Sequence, residues 1–426
     1  MRKLFGFILL GILASAMGCG GSSSSTTHTG TANNVLSVAV DGGPTATQQG
    51  GSIYQNGLFA SATICAPGST TNCVTVDHLL VDTGSYGLRI LQSEVASLNL
   101  PTVNASNGSP AYDCIPFVDG TFVWGPVQTA TVTLAGETAS NLPIQVISSS
   151  AANIPTSCSN GGTNQNTQQL LGSNGMLGVG LEPVDCGTAC DPTGGLTSPP
   201  TQAYYTCSTS SCSPAFVSVS NQVANPVVLF PIDNNGIIVE LPSVSGSAAT
   251  VTGSLIFGIG TQTNNQFSNA HLFTLACDTF NTSFEGQLFD INSSNCTGPG
   301  SFIDSGSNGL YFPDVNSSIP TCPTNTPVGD LSSFYCPTSL LSLSATNEDP
   351  NTGFAEATNF SIDNAENLFT NSSTENDAAF STLGGPEPSG VGFDWGVPFF
   401  YGRNVYSAID GQSVPSGLAT PPWWAY

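Results

Sequence analysis

The chain has 426 residues, of which 39% are hydrophobic and 8% are charged, so it is long enough to form two domains with sizeable cores. Lys and Arg total 4 against 28 Asp and Glu, and this balance excludes nucleic acid binding because so few cations cannot neutralise phosphates. The abundance of Gly, Ser, Thr, Asn and Pro predicts short strands joined by turns, since long surface helices usually carry Glu and Lys.

The charge balance also bears on the working pH. Two of the four cations lie in a segment that is expected to be removed, which leaves Arg89 and Arg403. Full protonation of the carboxylates would leave these two cations and the 3 His, so the chain would repel itself little in acid. An acidic working environment and a generically acidic exported protein are equally consistent with these numbers.

Residues 1–19 have the features of an export signal: two basic residues, then an apolar run, then small residues. The segment ends in Ala-Met-Gly-Cys, which resembles a bacterial lipobox and predicts lipidation of Cys19; ordinary signal-peptidase cleavage nearby is the alternative. Residues 20–34 are rich in Gly, Ser and Thr and predict a flexible tether. No later stretch is long and apolar enough to span a membrane.

Two segments repeat one pattern, each after an apolar stretch. Residues 80–88 read LVDTGSYGL and residues 302–310 read FIDSGSNGL, so from the Asp onward five of seven residues are identical. A single Asp-Thr-Gly often marks a turn after a strand, whereas two copies after apolar strands predict that Asp82 and Asp304 face one another. Two unrelated Asp-capped turns are the structural alternative.

Two carboxylates at close range would explain the residue types around them. The apolar residues place each Asp at the end of a buried strand, and Gly84 and Gly306 permit tight turns and a close approach of the two loops. Two neighbouring carboxylates cannot both ionise, so they share one proton. The ionised Asp can then activate a water as general base, while the protonated Asp polarises a carbonyl.

Three further segments resemble the pepsin-like aspartic proteases, in the same order along the chain. They are NGMLGVG at 174–180, GSLIFG at 253–258 and WGVPFFYGR at 395–403. With the two Asp motifs the likeness spans about residues 35–412, and the overall pattern is also similar to an uncharacterised family of bacterial lipoproteins. The resemblance implies an all-β, bilobal fold of two six-stranded-barrel-like lobes, residues 35–235 and 236–426, with a cleft between them.

The resemblance also implies the roles of residues in the two motifs. Asp82 and Asp304 are the catalytic pair, and the hydroxyls of Ser85 and Ser307 brace them. The remaining motif residues shape the two loops: Thr83, Gly84, Ser305 and Gly306. No metal or cofactor is expected, since the chain has no paired Cys-x-x-Cys set and His is scarce.

The likeness fails at the hairpin that closes over substrate in the pepsin-like enzymes. Those enzymes have a Tyr near the hairpin tip, whereas here Val118 holds the position, between Phe117 and Asp119. The Trp that partners this Tyr in the family is replaced by Arg89. Arg89 either faces the cleft and holds a carboxylate such as Asp119, or serves as a structural partner of a buried acid.

The cysteines predict disulfides. The chain has 13 Cys, and setting Cys19 aside leaves an even number in a protein that is expected to be exported. Proximity along the chain predicts Cys65–Cys73, Cys114–Cys158, Cys277–Cys296 and Cys322–Cys336, with Cys186, Cys190, Cys207 and Cys212 pairing among themselves.

Two functions are consistent with these features. The first is a monomeric aspartic endopeptidase, anchored by Cys19 to the bacterial cell envelope, with the outer membrane expected, that cleaves peptides or proteins at acidic pH without a cofactor. The second is a catalytically silent protein of the same fold that binds a polymer or protein through its cleft, which Val118 and Arg89 favour. A purely structural surface lipoprotein is a third alternative.

Overall fold

The computed structural model describes residues 33–44, 53–150, 153–371, 376–387 and 390–426. The predicted signal segment with Cys19, and the predicted tether up to residue 32, lie outside the described residues.

The strands before residue 236 include the longest of the chain. They are β1 (Val35–Gly42), β2 (Tyr54–Cys65), β3 (Cys73–Asp82), β4 (Tyr86–Leu91), β5 (Ala111–Pro116), β6 (Phe122–Leu134), β7 (Glu137–Ile147), β8 (Gly175–Val179), β9 (Tyr204–Cys207) and β10 (Cys212–Pro214).

The strands from residue 236 onward are mostly shorter. They are β11 (Gly236–Glu240), β12 (Ser247–Ala248), β13 (Val251–Phe257), β14 (Leu272–Thr274), β15 (Asn281–Phe284), β16 (Gln287–Phe289), β17 (Phe302–Ile303), β18 (Leu310–Phe312), β19 (Leu341–Glu348), β20 (Ala355–Ile362), β21 (Ala379–Phe380), β22 (Gly384–Pro386), β23 (Asp394–Trp395), β24 (Asn404–Ala408) and β25 (Trp423–Ala425).

The helices are short, as the scarcity of Glu and Lys predicts. The α-helices are α1 (Gln92–Val95), α2 (Thr156–Ser159), α3 (Gln168–Leu171), α4 (Ala365–Thr370) and α5 (Val397–Phe400), and the 3-10 helices are Ala96–Leu98, Gly187–Cys190, Val219–Asn221 and Pro226–Leu229. Within the described part of the chain, no helix has the length and apolar character needed to cross a membrane. The predicted all-β class is confirmed.

The burial of β6 and β8 follows from their sequences. In β6 the alternating Ala130, Val132 and Leu134 are fully buried, while the threonines between them are partly exposed, as expected of a strand with one face on the core. All five residues of β8 are buried because this strand lies between β3 and β4 inside the largest sheet. An uninterrupted run of small and apolar residues suits that position.

The largest sheet crosses the predicted boundary between the two lobes. It has 15 strands, in the order β10-β9-β5-β6-β7-β4-β8-β3-β2-β1-β13-β11-β24-β25-β14. The two halves join where β1 pairs antiparallel with β13, with Val35 opposite Ile256. Two four-stranded sheets and one two-stranded sheet complete the described pairings, which do not confirm the expected pair of six-stranded barrels.

The main core connects the two Asp-bearing strands. Val81 precedes the first motif Asp and Ile303 the second, and both are fully buried in one hydrophobic cluster. The same cluster contains Leu177 and Trp395, which lie opposite them on the adjacent strands. Close packing of these side chains leaves little freedom to the residues that follow the strands.

Six disulfides confirm the pairing predicted from proximity. They are Cys65–Cys73, Cys114–Cys158, Cys186–Cys190, Cys207–Cys212, Cys277–Cys296 and Cys322–Cys336. Disulfides at this density are typical of exported proteins, because the cytosol keeps thiols reduced.

Candidate active site

The two motif aspartates follow equivalent strand pairs. β3 runs parallel to β8, with Val81 opposite Leu177, and Asp82 is its last residue. β17 runs parallel to β23, with Ile303 opposite Trp395, and the N–H of Asp304 donates to the carbonyl of Trp395 at 3.1 Å. Each Asp therefore stands where a buried, hydrogen-bonded strand ends.

The loops after the two strands are hydrogen-bonded to one another through Thr83 and Ser305. Thr83 Oγ1 donates to the carbonyl of Ile303 at 3.2 Å and accepts from the N–H of Ser305 at 2.9 Å. Ser305 Oγ donates to the carbonyl of Val81 at 2.8 Å and accepts from the N–H of Thr83 at 3.2 Å. Both side chains are buried, so this reciprocal set fixes one loop relative to the other.

The close approach of each Asp loop to the other loop's carboxyl group requires the two loop glycines. A Cβ on Gly84 would lie 2.5 Å from Cγ of Asp304, and a Cβ on Gly306 would lie 2.8 Å from Cγ of Asp82. Distances this short are not tolerated between carbon atoms, so each loop accepts only a residue without a side chain at this point.

The carboxyl groups of Asp82 and Asp304 share a donor. The N–H of Gly84 donates to Oδ1 of Asp82 at 2.9 Å and to Oδ1 of Asp304 at 3.1 Å, so these oxygens lie no further apart than the sum of the two distances. Asp82 also accepts from the N–H of Ser85 at 2.9 Å and from its Oγ at 2.5 Å. Asp304 accepts from the N–H of Gly306 at 2.7 Å and from Ser307 Oγ at 3.1 Å.

The pair is arranged to hold one proton. Desolvation raises the pKa of Asp304 well above its ordinary value, and the charge of Asp82 and the hydrogen bond that protonated Asp304 donates to Asp82 raise it further. Two carboxyl groups in this relation titrate as a unit and retain a proton where an isolated Asp would have lost it.

Phe117, Val118 and Asp119, the flap candidates, lie in the turn between the paired strands β5 and β6. The N–H of Phe117 donates to the carbonyl of Thr121 at 2.8 Å, and Asp119 accepts from the N–H and Oγ1 of Thr121 at 2.8 and 2.7 Å. Val118 is 65% exposed. Phe117 packs on a small apolar cluster that includes Met176 of β8.

Arg89 is a structural partner of buried acids and does not hold Asp119. Its side chain is 1% exposed, and Nη2 lies 3.0 Å from Asp185 and 3.6 Å from Asp113. Nη1 donates to the carbonyl of Tyr86 at 2.5 Å, and the hydroxyl of Tyr204 donates to Asp185. Burial first, and then the charge of Asp185, raises the pKa of Asp113 well above its ordinary value.

Three groups around the two Asp loops carry no sequence motif and were not predicted. Asp394, at the start of β23, lies 2.5 Å from Ser307 Oγ. Tyr311 donates to Oδ1 of Asn308 at 2.6 Å. Burial, and then the charges of Asp304 and Asp82, raise the pKa of Tyr54 to about 12. A local sequence pattern reveals none of these interactions.

The ring of Tyr54 lies against glycine. A Cβ on Gly172 would be 2.3 Å from this ring, so the absence of a side chain there makes room for it. Two residues further along β2, Asn56 donates to the carbonyl of Asn308 at 2.8 Å, which ties the start of β2 to the second Asp loop.

Among the described residues, no group of three or more His, Cys, Asp or Glu is placed to hold a metal ion.

Comparison with known proteins gives a family and similar solved structures. The family described as "Protein of unknown function (DUF3443)" matches residues 30–426. No curated protein sequence matches the chain. Among solved structures, the chain is similar to one described as "Crystal structure of aspartic proteinase from Irpex lacteus", with a TM-score of 0.44 and 16% sequence identity over 87% of this chain and 93% of that one.

Proposed function

The chain belongs to the DUF3443 family, and we propose that it is an aspartic endopeptidase that hydrolyses peptide bonds at acidic pH with a water activated by Asp82 and Asp304. The observation that carries the proposal is the N–H of Gly84, which donates to both carboxyl groups. Two acids held this close share a proton, and one base beside one acid is what hydrolysis of an amide needs.

The lengths of the hydrogen bonds support two different roles. Each Asp accepts two backbone and one hydroxyl hydrogen bond, but the serine hydroxyl lies 2.5 Å from Asp82 and 3.1 Å from Asp304, which favours Asp82 as the base. Asp304, whose pKa is raised by desolvation and by Asp82, holds the proton. Asp82 is therefore the general base and Asp304 the general acid.

The reaction then proceeds in two steps, and each step needs two proton transfers. Asp82 takes a proton from water as the water oxygen attacks the peptide carbonyl carbon, and Asp304 gives its proton to the carbonyl oxygen. In the second step the C–N bond breaks, the amine takes the proton from Asp82, and a hydroxyl of the intermediate returns one to Asp304. The pair is restored and no cofactor takes part.

A catalytically silent binding protein is the second candidate. The feature that favours it is the hairpin tip, where Val118 offers no hydroxyl and is exposed. Such a protein would keep the paired loops for their structural contacts and would bind a polymer or protein in the cleft.

Digestion of an unfolded protein separates the two candidates. We expect the purified chain to cleave a denatured protein at about pH 4, where the shared proton is held, and pepstatin, a transition-state mimic, to inhibit the cleavage. Cleavage that pepstatin does not affect, together with full activity of Asp82→Asn, would assign the hydrolysis to another site. Binding of a polymer without cleavage under the same conditions would support the second candidate.

The location is part of the proposal. The export signal in residues 1–19 and the six disulfides support export, and the lipobox at Cys19 supports a lipoprotein on the bacterial envelope. We expect the cells to incorporate a labelled fatty acid into the wild type and not into Cys19→Ser. Equal labelling of the two proteins would contradict the anchor.

A further inference from the structure

A third carboxyl group lies beside the pair. Asp394 opens β23, which runs between β17 and β18, and its backbone lies opposite Phe302 and Tyr311. Its side chain is 7% exposed. Oδ2 lies 2.5 Å from Ser307 Oγ, and the same Oγ is 3.1 Å from Oδ2 of Asp304. One hydroxyl therefore stands between two acids.

The first half of the chain has no carboxyl at the equivalent place. Register matches Val81 with Leu177 in the first half and Ile303 with Trp395 in the second. One residue earlier on the partner strand, the first half has Met176, which is also buried, and the second has Asp394. In the first half the hydroxyl of the loop serine reaches the motif Asp at 2.5 Å, a shorter distance than in the second.

Among the described residues, no positively charged group faces Asp394. The titratable groups that face it are Asp304 and Asp82 of the pair, Glu387 beyond β22, and the phenol of Tyr311 on β18. Its Oδ1 is buried and has no hydrogen-bond partner among the described residues. Burial, and then the charge of Asp304, raises the pKa of Asp394 well above its ordinary value. At acidic pH Asp394 is therefore a neutral acid.

The protonation state of Asp394 decides which acid accepts the hydrogen of the Ser307 hydroxyl. A hydroxyl has one hydrogen to donate and can accept in addition. A neutral Asp394 donates its own proton to Ser307 Oγ, so the serine hydrogen is left for Asp304. An ionised Asp394 is the nearer and charged acceptor, so it takes the serine hydrogen and Asp304 loses a bracing contact.

We propose that Asp394 is a positioning residue of the Asp82–Asp304 pair, a neutral acid that directs the Ser307 hydroxyl to Asp304. The inference rests on the proposed function, since the pair is taken as the catalytic centre. Loss of the Asp394 proton as the pH rises both withdraws the serine hydrogen and adds a negative charge beside Asp304, and each change raises the pKa of Asp304. Ionisation of Asp394 therefore keeps the proton on Asp304 and extends hydrolysis to higher pH.

Asp394→Asn tests the inference through the pH profile of kcat/KM. The amide has the shape of the neutral acid and donates to Ser307 at every pH. We expect activity near the acidic optimum to stay within about threefold of the wild type, and the alkaline limb to move down by about one pH unit, because Asp304 loses its proton earlier without the charge of Asp394. A limb that stays or moves up, or loss of activity at all pH values, would overturn the proposal.

Glu387→Gln is the matched control. Glu387 lies in the same half, and burial raises its pKa to about 7, but among the described residues it has no hydrogen bond to Ser307. The charge of Glu387 raises the pKa of Asp394, so without it Asp394 ionises at a lower pH and we expect the alkaline limb not to move down. A limb that moves down in Glu387→Gln and stays in Asp394→Asn would assign the effect to Glu387 and contradict the role of Asp394.

Carbon-13 NMR of the aspartate carboxyl groups gives a readout that needs no turnover. In the wild type we expect the Asp304 signal to show a second step at the pH where Asp394 ionises, and this step to be absent in Asp394→Asn. An Asp304 signal without a second step would refute the coupling even in an active enzyme. A second step in a protein that cleaves nothing would uphold the coupling and refute the proposed hydrolysis.

Discussion

At the scale of the residue, Thr83 and Ser305 hold the two loops together. Each accepts a backbone N–H and donates to a backbone carbonyl across the loop interface, at distances between 2.8 and 3.2 Å. Because these groups are buried, loss of one hydroxyl leaves two backbone groups without a partner. The same contacts that stabilise the fold set the separation of the carboxyl groups.

Ser305→Ala should therefore weaken both stability and hydrolysis. We expect the free energy of unfolding to fall by about 1–3 kcal/mol, the cost of leaving buried polar groups unpaired. Denaturant unfolding measures this, with the exposed Ser293→Ala as control. A change as small as that of Ser293→Ala would show that the loops are held by other contacts.

The motif repeat made the two Asp loops predictable, whereas the groups behind them were not. Asp82 and Asp304 stand in nearly identical heptapeptides, and their neighbours Gly84 and Gly306 follow from the turn. Asp394 stands in an Asp-Trp pair with no motif, and only the parallel register of β23 with β17 brings it to Ser307.

At the scale of the element, a buried ion network links the predicted flap hairpin to β4, two strands away in the sheet. Asp113 lies in β5, the first strand of the hairpin, and Arg89 lies in β4. Asp185, between β8 and β9, completes the network. One guanidinium thus serves two carboxylates from distant parts of the chain, which local sequence reasoning does not reveal.

Arg89→Met should loosen the hairpin. Removing the cation leaves buried carboxylates without a partner, which costs about 3–5 kcal/mol. We expect faster amide hydrogen exchange in β5 and β6 as well as lower stability.

Arg403→Met serves as the control for the loss of a cation. Arg403 stacks on Phe399 at 4.5 Å from the ring centroid, and in the described part of the chain no carboxylate lies within ion-pair distance of it. If exchange in the hairpin changes equally in both variants, the network does not hold the hairpin.

The sheets were less predictable than the disulfides. Cys65 and Cys73 end adjacent strands joined by a short turn, so proximity along the chain identifies the bond. The pairing of β1 with β13 joins residues more than 200 positions apart. No local pattern encodes such a partner. The expected barrels came from the resemblance to the pepsin-like fold, and the strand pairings do not confirm them.

At the scale of the whole molecule, buried acids make stability depend on pH in an unusual direction. Desolvation raises the pKa of Glu182 and of Glu387 to about 7, and it raises the pKa values of Asp113, Asp304 and Asp394 well above the ordinary range. An acid with a raised pKa in the folded state binds its proton more tightly there than in the unfolded chain. Its contribution to stability is present below about pH 4 and is lost as the pH rises through the folded value.

We therefore expect the free energy of unfolding to be larger at about pH 4 than at about pH 8. The lowered pKa of Asp349 opposes this trend only in stronger acid: burial alone would raise that pKa, but hydrogen bonds from Thr352, Asn351 and Thr274 outweigh it. Urea unfolding at the two pH values measures the difference. A protein that is more stable at the higher pH would contradict the account of its buried acids.

The central claim is that Asp82 and Asp304 hydrolyse peptide bonds as one unit, and the most direct test is kcat/KM of Asp304→Asn at about pH 4. We expect a loss of about 100-fold or more, because the amide cannot supply the shared proton. The exposed Asp290→Asn should match the wild type, which controls for loss of a carboxylate as such. If Asp304→Asn retains wild-type turnover while correctly folded, the pair is not the catalytic centre.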